Sequence, residues 1–244
     1  MKCALAAMGF IDGDLQHNKR VIIDTMKKYS NTADIVIFGE AFLQGFYCAD
    51  FNVEHDEKIA VSRNDSIITE ICSAAEEYKL AVSFGFIEKE GDCFYSSQLT
   101  VDQAGKVVDL YRRVSPGWKE SFADEYYREG EEFHSFLFLD RKVVVGLCGD
   151  LWFDTNIDSI NKLHPDIVFW PVYTDFNEYE WNTSEKLEYA AQAGRINSKV
   201  LYVNSLCKDR EADDIARGGA ALVAGGRIEA EIPSGQEGIL AVEV

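Results

Sequence analysis

Three points in the sequence put a chemically capable side chain directly after an apolar run. The first is Ile35-Val36-Ile37-Phe38-Gly39-Glu40. An ionised carboxylate at the mouth of an apolar strand is costly unless it is paired or its pKa rises, and a raised carboxylate suits a general base. Taken alone, Glu40 reads more simply as a cap or as the partner of an arginine. The second is Val143-Val144-Val145-Gly146-Leu147-Cys148-Gly149-Asp150. A cysteine at a strand exit before a glycine has the form of a nucleophile turn. Gly149 would let a backbone N–H face an oxyanion and let substrate approach. The plain alternative is a buried cysteine packed as a small hydrophobe. The third is the run ending Tyr111-Arg112-Arg113, which leads into Ser115-Pro116-Gly117-Trp118-Lys119-Glu120. It is a cationic crowd in an acidic chain, either a solvated loop or, with Tyr111 and Trp118, part of a pocket wall.

Other schemes have less support. No GxSxG elbow and no Walker A pattern occurs. His17, His55, His134 and His164 follow no metal spacing, and the six cysteines form no CxxC, so a metal site is not expected.

The elements that would carry these residues alternate. Short apolar runs rich in β-branched residues predict strands at 2–8, 35–38, 80–87, 95–101, 107–111, 136–139, 143–147, 167–170 and 200–203. Short Gly-punctuated strands are expected at 220–223, 228–232 and 239–244. Helical spacing predicts helices at 17–29, 65–78 and 157–163, and a longest helix at 180–197 with Leu187, Ala190, Ala191 and Ala193 inward. Residues 114–132 show no period, and long irregular segments in compact folds tend to be functional. Interleaved helices and strands with many hairpins argue an α/β layered fold with mixed sheets. There is no visible repeat and no break in composition, so residues 1–244 are expected to form one domain.

With 244 residues, against about 150 for a typical domain, the chain can bury roughly 70–75% of its unfolded surface without disulfide or metal staples. The 24 Lys+Arg against 42 Asp+Glu give a net charge of −18, which disfavours nucleic acid and anionic membranes. No apolar run reaches the ~18 residues of a membrane span, and the start of the chain has no secretory pattern. A cytoplasmic setting with reduced thiols is expected.

Taken in order, the three points resemble the carbon–nitrogen hydrolase (nitrilase-like) superfamily, which uses Glu, Lys and Cys at successive strand exits. Phe38-Gly39-Glu40-Ala41-Phe42 resembles its first signature. Tyr111-Arg112-Arg113 resembles its middle one, and Gly146-Leu147-Cys148-Gly149-Asp150-Leu151-Trp152-Phe153 its last. Asp166-Ile167-Val168-Phe169-Trp170-Pro171, the stretch from Trp181 to Arg195, Val203-Asn204 and Gly218-Gly219 extend the likeness over nearly the whole chain.

The resemblance implies an α-β-β-α sandwich that pairs with a second copy through its Cys148-side face, with no metal or organic cofactor. It implies cleavage of a non-peptide C–N bond in a small amide or carbamoyl substrate. Cys148 would be the nucleophile, Glu40 the base, and Gly149 N–H an oxyanion donor. Two departures stand out: Arg113 falls where the family has lysine, and Gly149 where an aromatic is usual. The cation is then Arg113 or Lys119, and Glu120 is the candidate for a second glutamate. Trp118, Trp170, Tyr173, Phe176, Tyr179 and Trp181 could line a pocket or the core, and Arg112, Arg113 or Lys119 could seat a substrate carboxylate. Two alternatives remain: a binding protein of this fold without turnover, and a thiol hydrolase with a histidine base.

Overall fold

Alternation along short apolar strands sets up the layers. The computed structural model describes residues 1–209 and 212–244. In Lys2–Ala7, Cys3, Leu5 and Ala7 join one cluster while Ala4 and Ala6 join another; in Ile35–Phe38, Ile35 and Ile37 divide from Val36 and Phe38 in the same way. A strand apolar on both faces must be covered on both.

One six-stranded sheet runs Gly238–Glu243, Lys2–Ala7, Ile35–Phe38, Ala81–Glu90, Cys93–Val101, Val107–Arg112 from edge to edge. The other runs Ser135–Phe138, Arg141–Val145, Ile167–Val172, Lys199–Asn204, Ala220–Ala224, Arg227–Ile232. The sheets pack face to face, with Leu5, Ile37 and Tyr111 meeting Val145, Phe169 and Leu201 between them. Helices Leu15–Tyr29 and Ser66–Tyr78 cover the first sheet through Ile22, Met26, Ile68 and Ile71. Asp154–Lys162 and Lys186–Ala193 cover the second through Ile157, Ile160, Ala190 and Ala193. The result is the expected four-layer α-β-β-α sandwich with mixed sheets.

The sequence shows no repeat, but the topology has one. Each sheet holds three parallel strands in its middle, with one antiparallel strand on one side and two on the other. In both, the parallel strands are joined through helices.

Most expected elements appear with ends moved by one to three residues. The Asp65 side chain accepts the Ile67 N–H and caps Ser66–Tyr78, a contribution of about 1 kcal/mol. The expected longest helix at 180–197 is instead broken into Glu178–Glu180, a π turn Trp181–Glu185 and Lys186–Ala193. The wider turn rotates the helical residues beyond it. Leu187 and Ala191, expected inward, are exposed, whereas Ala190 and Ala193 are buried. Leu15–Tyr29 is the longest helix among the described residues. No described helix is long and apolar enough to cross a membrane.

Candidate active site

Four strands end at the same edge of the sandwich, and each delivers a residue there. Ile35–Phe38 leads to Glu40, Val107–Arg112 to Arg113, Arg141–Val145 to Cys148, and Ile167–Val172 to Tyr173.

Glu40 sits on a tight turn wedged between backbones. A side chain on Gly39 would come within 2.5 Å of Ser205 Oγ, and one on Gly85 within 2.4 Å of Ala41 N. The next residue, Ala41, takes φ 51°. The Glu40 N–H donates to Val172 O of the other sheet at 3.2 Å. Its carboxylate is 1% exposed, and the cost of burying it is met by pairing. Arg113 Nη1 donates to Oε1 at 3.1 Å and Ser96 Oγ donates to the same oxygen at 2.8 Å. Oε2 is buried with no protein partner.

Arg113 is 5% exposed and anchored at each nitrogen. Nε donates to Ser115 Oγ at 3.0 Å and Nη2 to Pro116 O at 3.2 Å, in addition to the Glu40 bond. Burial opposes its charge, but Glu40, Cys148 and Asp150 outweigh burial and push its pKa up. The group is a fixed cation.

Cys148 opens a 3-10 turn, Cys148–Trp152, at φ 39°. Such a conformation costs a β-carbon residue about 1–3 kcal/mol and persists only when its surroundings dictate it. Here Trp170 Nε1 donates to Cys148 O at 2.8 Å. Asp150 accepts from Leu147 N at 2.8 Å, Ser115 N at 2.7 Å and Tyr111 OH at 2.6 Å, tying the turn to the Arg113 segment. Burial raises the Asp150 carboxyl, opposed by these donors and by Arg113. The Cys148 thiol donates to Tyr173 O at 3.4 Å. Burial, then the Glu40 charge, pushes it up to about 12, against the pull of Arg113 and the Tyr173 carbonyl. Cys148 is thus held as a thiol near the Glu40 carboxylate.

The structure brings Glu40, Arg113, Cys148, Gly149 and Tyr173 together and leaves the other candidates elsewhere. Lys119 Nζ is held by Tyr127 O and by Glu129 at 3.0 Å. Glu120 is exposed. Trp118 packs in a small cluster with Phe94 and Tyr127 that orders the 114–132 segment. Arg112 points the other way, because alternate residues of a strand face opposite sides; it closes on Glu88 at 2.7 Å through two nitrogens. With Arg112 and Lys119 neutralised, neither is free to seat a substrate carboxylate. Trp170, Trp181 and Phe176 form an aromatic core with Tyr189 and Tyr202, while Tyr179 is 78% exposed. The Asp50–His55–Asp56 group has the makings of a metal site, but the Asp56 carboxylate is taken by the N–H groups of Asp50 and Phe51, by His55 and by Tyr127 OH, which makes it a loop clasp.

Sequence reasoning missed Ser96, Ser115 and Gly85. Gly85 carried a readable signal, since a glycine inside an apolar strand marks close backbone approach. The two serines carried none.

Comparison with known proteins agrees with this frame. The chain is 24% identical over 180 residues to an N-carbamoylputrescine amidase of Oryza sativa subsp. japonica, covering 70% of this chain and 58% of that one. It is 26% identical over 165 residues to a glutamine-dependent NAD(+) synthetase of Aquifex aeolicus, covering 67% and 28%. The chain thus spans about half or less of the length of these relatives. An amidase of the nitrilase superfamily from Nesterenkonia superposes with a TM-score of 0.79 at 19% identity, covering 100% of this chain and 90% of that one. The family model for carbon-nitrogen hydrolases matches residues 5–244. With that match running through all three strand exits and the sandwich they sit on, the chain belongs to the carbon–nitrogen hydrolase family.

Proposed function

We propose that the protein hydrolyses the C–N bond of a small linear amide or carbamoyl compound through a thioester on Cys148. The observation that carries this is the divided Glu40 carboxylate: both fixed donors sit on Oε1, Oε2 is left buried and unpaired, and the carboxylate stands near enough to the Cys148 thiol to raise its pKa.

In this reading Glu40 takes the Cys148 proton as sulfur attacks the carbonyl carbon. Arg113 and the Gly149 N–H steady the oxyanion. Arginine releases no proton at working pH, so the proton that the departing ammonia or amine needs returns from Glu40. Water then attacks the thioester, Glu40 accepts its proton, and the acid leaves as the thiol re-forms. Arg113 fills the cation role in preference to Lys119, which is spent on Glu129. Tyr173 contributes a wall and the carbonyl that holds the thiol.

We further take residues 1–244 to act as one domain, in the cytosol where the thiol stays reduced, and as a homodimer or larger assembly. Exposed Trp152, Phe153 and Leu187 on the Cys148 side support the pairing. The test is ammonia release from a panel of small amides, carbamoyl compounds and nitriles, with Cys148→Ala as the blank. Release above the blank from at least one amide or carbamoyl compound is expected. Release from none overturns the hydrolase reading and leaves a binding protein of this fold.

A further inference from the structure

Glycine at position 149 is not demanded by its own backbone, whose φ lies outside the left-handed region; the strained residue of the turn is Cys148. What the position lacks is space. A β-carbon there would come within 2.6 Å of Arg113 Nη2, 3.1 Å of Ser115 Oγ and 3.5 Å of Arg113 Cζ. An arginine tip on a protein surface would swing aside at little cost. This one has no such freedom, because each of its nitrogens is already bonded, to Ser115, Glu40 and Pro116, and the side chain is 5% exposed. The crowded atom, Nη2, is the one bonded to Pro116 O, and because the guanidinium is a rigid plane its retreat would also shift Nη1 on Glu40 Oε1.

We propose that Arg113 and Gly149 are a matched pair, in which the guanidinium occupies the volume of the missing side chain and residue 149 thereby sets where the cation of the site stands. Gly149 is then a positioning residue acting through Arg113, beyond the N–H it offers. The inference rests on the proposed hydrolytic role of Arg113. It also joins the two residues that the sequence marked as separate departures. A lysine in place of Arg113 would present a single ammonium rather than a branched plane, leaving room for a small side chain at 149.

The test compares wild type, Gly149→Ala, Arg113→Lys and the double variant. Gly149→Ala is expected to lose at least about 100-fold in ammonia release, the loss typical of a displaced oxyanion donor. The double variant is expected to regain at least about 10-fold over Gly149→Ala. Such rescue by a change at 113 is not expected of damage that is merely structural. A second readout needs no turnover. The side-chain Nε–H resonance of Arg113, identified by its disappearance in Arg113→Lys, should shift or broaden in Gly149→Ala. An unmoved resonance, or a double variant no more active than Gly149→Ala, overturns the pairing. If no variant and no wild-type protein releases ammonia, the hydrolytic reading falls and the resonance alone decides the pairing.

Discussion

Arg112 and Arg113 are neighbours in the chain and neutralise different buried glutamates on opposite sides of one sheet: Arg112 pairs with Glu88 at 2.7 Å and Arg113 with Glu40 at 3.1 Å. Their substitutions should therefore separate. Arg113→Ala is expected to cut ammonia release by about 100- to 1000-fold. Arg112→Ala should mainly cost stability, about 3 kcal/mol, by stranding Glu88, which is 1% exposed. Urea unfolding and turnover measured on the same two variants check this; an Arg112→Ala protein of normal stability would contradict it.

Glu40→Gln keeps the shape and removes the proposed base. Turnover should fall by about 100-fold or more with the protein still folded. Burial and Glu40 hold the Cys148 thiol up at about 12, so the proposed mechanism makes its reactivity at neutral pH depend on proton removal by Glu40 rather than on a standing thiolate. Iodoacetamide labelling followed by mass spectrometry should show Cys148 slowed in Glu40→Gln while the other five cysteines react as before. Unchanged labelling of Cys148 would remove Glu40 from the role.

Ser96 shares Oε1 of Glu40 with Arg113. Ser96→Ala deletes one of the two donors that fix the carboxylate through Oε1 and leave Oε2 unpaired. A hydrogen bond to a charged group contributes about 1.5–3 kcal/mol. A fall in kcat of roughly 10- to 100-fold is expected, with KM changing less, in steady-state assays of ammonia release.

His55 Nδ1 lies 2.8 Å from Asp56 and 3.2 Å from Asp50. The hydrogen bond to Asp56 raises its pKa above 6.5, with both acidic neighbours assisting against desolvation and Lys58. A group raised in the folded state contributes fully below its unfolded pKa, and the contribution is lost as pH rises through the folded one. The 50–56 loop should thus hold most firmly in mild acid and loosen above that window. NMR titration of the ring protons should give a midpoint above 6.5, and His55→Ala should abolish the change in loop amide exchange with pH.

Light scattering at micromolar concentration should report a species larger than the 27.5 kDa chain. Replacing Leu187, which is 59% exposed, with lysine should shift that species toward the monomer. A wild-type protein stable at 27.5 kDa would contradict self-association.

Much of this arrangement was legible because it depends on local pattern. Ile35–Phe38 matches its expected limits, and Glu40 and Cys148 stand out by following apolar runs. The features that stayed hidden depend on side-chain direction or on distant partners. Nothing in Tyr111-Arg112-Arg113 says which arginine turns inward until the strand's register against Cys93–Val101 is known. Lys119 looked like an alternative cation because Glu129, which neutralises it, is ten residues away on an aperiodic segment. Leu187 read as inward because helical spacing carries no mark of the π turn before it.

The two sheets meet through greasy surfaces, and such a contact resists separation far better than it resists sliding. At the strand exits the contact becomes directional: Tyr111 and Ser115 of one half grip Asp150 of the other, and Glu40 N–H reaches across to Val172 O. These bonds act as a latch that sets the shear between the halves. One half supplies Glu40 and Arg113 and the other supplies Cys148, so a slip of an ångström along the interface would pull apart the thiol and the carboxylate without unfolding either sheet. Alignment of the halves and competence of the site are, in this molecule, one mechanical property.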